Sequence, residues 1–246
     1  MIAFEIYILF FLIAVAYSSV GFGGGSSYLA VMAITGMDFK ILKIVALLCN
    51  ITVVSGGVFW FWKRNYFDWK KIFPLTLLSI PLAYLGGGFQ LTEKSFSLIA
   101  GLSLIISGLL VLFQKQIIRN AHKSDSLALN ISVGGGIGFL SGLIGIGGGI
   151  FLSPFLHLIG WDKVKVIAAT ASFFILVNSI AGLAGQLSIG AQLNDWRPIL
   201  ILIFTVFVGG QIGSRWGSGK LSPQKLRIIT AILVLIVGFR IVIKYF

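Results

Sequence analysis

Acidic residues are scarce: there are seven Asp and Glu in 246 residues, and all of them (Glu5, Asp38, Asp68, Glu93, Asp125, Asp162, Asp195) lie at the ends of apolar runs or between them. A carboxylate relay in the middle of an apolar segment is therefore excluded. Cysteine is nearly absent too. The one example, Cys49, lies inside an apolar run, which excludes an intrachain disulfide framework and a thiolate metal cluster. With two histidines and no nucleophile paired with a base at depth, hydrolytic, redox and metal chemistry have no constellation to work with. No enzyme activity, metal or cofactor is expected. Charge as a whole is sparse, at 11% of residues, where soluble chains carry about 25%.

What is present is apolar. Hydrophobic residues make up 57% of the chain, the mean hydropathy is +1.02, and the runs 98–113, 197–213 and 228–243 show no polar face. Segments of that length and uniformity match helices immersed in lipid. The expected fold is an all-α polytopic membrane protein, multi-pass in the plasma (inner) membrane, with the lipid bilayer as its solvent. The net charge of +12 comes from 19 Lys and Arg set almost entirely in the short gaps between apolar runs. Such cations mark topology; no basic face exists for a nucleic acid to lie on. Residues 1–20 lack a basic leader and read as a retained first segment.

The chain repeats itself. Gly21-Phe22-Gly23-Gly24-Gly25 returns as Gly145-Ile146-Gly147-Gly148-Gly149 at an offset of 124. Gly36-Met37-Asp38 answers Gly160-Trp161-Asp162, Asp68-Trp69 answers Asp195-Trp196, Gly86 answers Gly213, and Leu91-Thr92 answers Leu221-Ser222. The expected domains are a first membrane repeat over 1–118, a connecting loop at 119–126 and a second repeat over 127–246. Each repeat opens with a glycine-broken segment (3–36; 127–159) followed by three helices (41–62, 72–89, 95–114; 164–186, 197–214, 224–243).

The broken segment of 34 residues would extend about 50 Å as one helix, well beyond the ~30 Å hydrocarbon core. Charge decides between two paths for it. If it crosses once, the 19 cations divide ten to nine; if it is a re-entrant hairpin, thirteen gather on one face and six on the other. The second count obeys the positive-inside rule. It makes the two repeats inverted, places loops 63–71, 115–126 and 214–227 in the cytoplasm and leaves 90–95 and 187–197 outside.

Two glycine breaks at equivalent positions of inverted repeats point to a binding site at membrane depth, because broken backbone there must line a cavity or be buried in protein. The scattered Gly56, Gly101, Gly108 and Gly182 are expected to serve helix packing. Each break precedes a short helix (26–36; 150–159) whose N-terminal amides attract anions. The candidate substrate-binding residues are Gly23, Gly24, Gly25, Ser26, Ser27 and Asn50 in the first half, and Gly147, Gly148, Gly149, Thr170, Ser172 and Asn178 in the second. Thr52 and Ser55 are further candidates, and His157 is a candidate proton carrier. A bulky residue at Gly24 or Gly148 is expected to occupy ligand space, and Gly86→Val to harm stability. The expected partner is a small anion, with a homo-oligomer left open.

Taken together, Gly21–Gly25, Gly145–Gly149, Thr170-Ala171-Ser172 followed by Asn178, and Gly209-Gly210-Gln211-Ile212-Gly213 before Leu221-Ser222 resemble the TauE/SafE family of sulfite and sulfonate exporters. That family is also called the toluene sulfonate uptake permease family. The resemblance covers essentially the whole chain. It implies export of sulfite, an organosulfonate or a related sulfur-containing oxyanion by alternating access; an anion channel or a non-transport membrane subunit is the alternative. The halves differ where Thr170-Ala171-Ser172 meets Ala46-Leu47-Leu48, so the two sides of the site are expected to contribute unequally.

Overall fold

The computed structural model describes residues 4–19, 21–34, 39–118, 126–190 and 196–216, and within 228–243 all but 229, 230, 233, 234 and 237. Gly36-Met37-Asp38, most of loop 115–126, loop 191–195 and Leu221-Ser222 lie outside the described residues. Ten helices are numbered, with further helical residues within 228–243 and no strand among the described residues: α1 Phe4–Ser18, α2 Gly25–Ile34, α3 Phe39–Lys63, α4 Trp69–Leu77, α5 Ser79–Gly88, α6 Glu93–Ile118, α7 Leu127–Ile144, α8 Gly149–Leu158, α9 Val164–Ser188 and α10 Arg197–Trp216. Five contain stretches long and apolar enough to cross a membrane: Ile41–Lys63, Glu93–Leu110, Leu127–Ile144, Val164–Ser188 and Arg197–Arg215.

Local sequence explains the breaks. The expected single helix over 72–89 is split at Leu78 into α4 and α5. Pro81 lacks the N–H that would bond the carbonyl of Leu77, and its ring crowds that carbonyl. α7 ends at Gly145, which takes a left-handed φ of 85° and donates its N–H to Ser141. That conformation favours glycine, and it turns the chain out of the helix.

The distribution of side chains is the reverse of a soluble protein's. Phe4, Leu12, Leu102, Ile106, Leu200 and Phe204 are exposed, while Asn50, Ser172, Asn178 and Gln186 are fully buried. The outer surface suits lipid, and polar groups are kept for the interior. Helices approach closely through small residues. A Cβ at Gly134, Gly138 or Gly142 of α7 would collide with backbone of Leu75, Ser79 or Ala83, and one at Gly213 of α10 with backbone of Val15. Gly86 and Gly182 sit at similar crossings, beside Phe139 and Gly142.

α3 and α9, of 25 residues each, form the centre. They pack antiparallel: Gly57 faces Ser172, and Leu47 faces Gly182. α1 packs on α10 and α7 on α5, while α10 also packs on α3 and α5 on α9. At one end Lys71 Nζ pairs with Asp162 at 2.7 Å, and Lys165 Nζ donates to the Tyr66 hydroxyl at 3.4 Å. Toward the other end Gln186 Nε2 donates to the Gly87 carbonyl at 2.5 Å.

Candidate functional site

The two glycine breaks meet between α3 and α9. Asn50 is the twelfth residue of the 25 in α3, so it sits half-way along that helix. Its Nδ2 donates to the Ile146 carbonyl in the second break at 2.9 Å, and its side chain also lies against Gly23 and Gly25 of the first. A Cβ on Gly25 would stand 2.8 Å from the Ile146 oxygen, so the two breaks touch directly. The reciprocal contact comes from α9: the Ser172 hydroxyl reaches the Gly21 carbonyl at 2.6 Å and its own Ala168 carbonyl at 2.9 Å. Each long helix thus holds the broken backbone of the other half, and both breaks sit near the middle of α3 and α9.

Positive φ explains the glycines. Gly21, Gly24, Gly145, Gly147 and Gly148 have φ between 79° and 87°, a region that disfavours any side chain. These turns redirect the chain into α2 and α8. Ser27 and Tyr28 donate to the Gly24 carbonyl, and Phe151 and Leu152 to that of Gly148. The amides immediately before them, of Gly25, Ser26, Gly149 and Ile150, have no backbone acceptor among the described residues. They are the free donors expected of helix N-termini, and they carry the positive end of each helix dipole.

The sequence-predicted residues divide by what they touch. Gly23, Gly25, Gly147 and Gly149 line the junction, with Gly147 beside Asn50 and Ser179, and Gly149 beside Ile175. Gly24 and Gly148 turn the other way, against Ile13 and Tyr28 and against Phe174 and Ile137. Ser27 and Ser26 are buried and contact the Tyr17 hydroxyl at 2.6 and 3.4 Å. Thr170 Oγ1 and Asn178 Oδ1 are buried without a hydrogen-bond partner, while Asn178 Nδ2 is used by the Phe174 carbonyl. Thr52 bonds back to Leu48 within its own helix, and Ser55 is exposed and bonds to Ile51, so neither faces the junction as a free donor. His157 is buried in α8.

Four residues escaped the reading of the sequence. Ser141 and Ser179 have buried hydroxyls without partners, and Gly148 and Gly147 respectively lie beside them. Tyr17 braces α2. Lys43, not singled out among the 19 cations of the sequence, is buried on the second turn of α3 at 3% exposure, its ammonium 5.4 Å from the centre of the Phe96 ring. Its position inside the apolar run Ile41–Leu48 was the available signal. Among the described residues no three His, Cys, Asp or Glu side chains gather as metal ligands.

At the end marked by Lys71, burial raises the Asp162 carboxyl, but hydrogen bonds from Lys71 Nζ and the Lys163 amide, with the charges of both lysines, hold it below its ordinary range. The Lys71 ammonium also lies 5.4 Å from the centre of the buried Trp161 ring.

A site built of backbone amides, hydroxyls and carboxamides inside a lipid-facing helical bundle is suited to holding a solute. Similarity to known proteins agrees. The chain is 33% identical over 249 residues, covering 97% of it and 98% of the relative, to a Sinorhizobium fredii protein described as a probable membrane transporter. It is 24% identical to the Bacillus subtilis protein YunE (98% of this chain, 97% of that one) and 23% identical to a Methanocaldococcus jannaschii protein (93% and 91%), both with the same description. No solved structure matches. The family model described as sulfite exporter TauE/SafE matches residues 6–241, and the chain therefore belongs to the sulfite exporter TauE/SafE family of multi-pass membrane transporters.

Proposed function

We propose that this protein is a secondary carrier that exports a small anion such as sulfite, an organosulfonate or a related sulfur-containing oxyanion across the plasma membrane, by alternating access at the junction of the two glycine breaks. The observation that carries the proposal is the reciprocal clasp, Asn50 on Ile146 and Ser172 on Gly21. Two helix N-termini open at this clasp, and each contributes about half a positive charge without a permanent cation at the junction itself. Helix breaks aimed at a mid-membrane substrate are a recurrent device of carriers.

Inversion of the two halves is supported by the antiparallel α3 and α9 and by paired contacts, α1 on α10 with α7 on α5. The hairpin path is supported at both ends. A broken segment that crossed only once would put Lys71 and Asp162 on opposite faces, yet they pair at 2.7 Å; the same holds for Gly87 and Gln186. A carrier rather than an open channel is favoured by the packed junction, where not even a methyl group fits on Gly25.

The test is a binding and flux screen of purified protein in proteoliposomes against sulfite, thiosulfate, methanesulfonate and a dicarboxylate. The proposal predicts saturable flux of at least one sulfur oxyanion. Flux that rises linearly with concentration would support a channel instead, and the absence of binding to every anion would remove the proposal.

A further inference from the structure

We propose that the buried Lys43 is a charged docking point for the transported anion on one side of the glycine breaks, and that the matching position on the opposite approach, Ala168, carries no charge, so the two openings of the carrier bind the anion unequally. This inference rests on the anion-carrier reading and adds a residue and an asymmetry to it.

Lys43 is 3% exposed, and among the described residues no carboxylate pairs with its ammonium; its recorded contact is the face of Phe96. A cation removed from water in an apolar bundle is costly, and an aromatic ring offsets only part of that cost. A buried charge in this setting is retained where a counter-ion comes to it, and the solute assigned to this carrier supplies one. The place is right for such a role. Lys43 packs against the second break, since a Cβ on Gly145 would stand 3.0 Å from its Cα. It lies seven residues before Asn50, about 10 Å along the helix axis, so it stands between the junction and the end where α3 and α6 begin.

The other side differs in kind. Lys43 is the fifth residue of α3, and the fifth residue of α9 is Ala168. Ala168 occupies the matching place against the first break, with its Cβ 3.2 Å from a Cβ on Gly21. The geometry is shared and the charge is not. A structural alternative is that Lys43 complements the carbonyls at the C-terminus of α7, which ends beside it. That role would affect assembly and both openings alike.

The discriminating experiment measures sulfite KM separately from each face of sidedness-sorted proteoliposomes for the wild type and for Lys43→Gln, Lys43→Met and Lys43→Arg. Loss of the charge is expected to raise KM about tenfold or more from the Lys43 face and much less from the other, with Lys43→Arg restoring it to within about threefold. Equal changes on both faces, no restoration by Arg, or unchanged KM in Lys43→Gln would overturn the proposal. So would failure of both neutral variants to assemble, which marks a structural charge. A wild type that carries neither sulfite, thiosulfate nor methanesulfonate would instead sink the carrier reading, and this inference with it.

Discussion

Asn50 satisfies a backbone carbonyl that the second glycine break would otherwise leave buried and unpaired. Replacing it with Ala is expected to cost about 1–3 kcal/mol of stability, the usual penalty for orphaning a buried acceptor, and to abolish transport; Ser55→Ala, on the exposed face of the same helix, should do neither. Thermal unfolding of the purified variants beside their flux checks this pair. The glycines need a finer distinction than the sequence allowed. Gly148 has φ 79° and faces Phe174, Ile137 and Ser141, so Gly148→Val is expected to unfold the break. The test of ligand space therefore moves to Gly149, which lines the junction beside Ile175 and, unlike Gly147 (φ 83°) and Gly148, is not held in the left-handed region. That the breaks were special was legible from three consecutive glycines in each of two equivalent segments. Which glycine faces the junction was not, because φ at each turn decides it. Lys43 shows the same limit: composition gave its charge, but only the packing of α3 on Gly145 and Phe96 shows that the charge is buried.

Among the elements, the α3–α9 pair and the short α2 and α8 follow directly from apolar run length and glycine punctuation, and their observed bounds lie within three residues of those expected at the ends described. The division of 72–89 into α4 and α5 was missed because Pro81 acts on its own helix locally while the run remains apolar throughout. The Lys71–Asp162 pair ties α4 to the loop before α9. Its carboxyl is held below the ordinary Asp range, so the stability it contributes is present at neutral pH and above, and is lost as pH falls through the depressed value. Thermal stability measured down an acid series should show this loss in the wild type, and Asp162→Asn should remove that part of the slope. The same end is expected to be cytoplasmic. A cysteine introduced at Asn65, in the loop between α3 and α4, should resist an impermeant reagent in intact cells, and one at Gln90 should react.

At the scale of the whole molecule, apolar composition and cations set in the gaps made a lipid-facing helical bundle legible, and the structure adds how the two halves interlock. Because α3 holds the second break and α9 the first, neither half can complete the junction alone. Under the alternating access proposed above, movement of one helix group against the other would remake both clasps and so link opening on one face to closing on the other. The most direct measurement of that claim is the current produced when sulfite is added to proteoliposomes under an imposed voltage. The account predicts a voltage-dependent current that saturates with sulfite, is competed by thiosulfate and methanesulfonate, and disappears in Asn50→Ala. A flux insensitive to voltage at every pH and competed equally well by a neutral or cationic solute would contradict it.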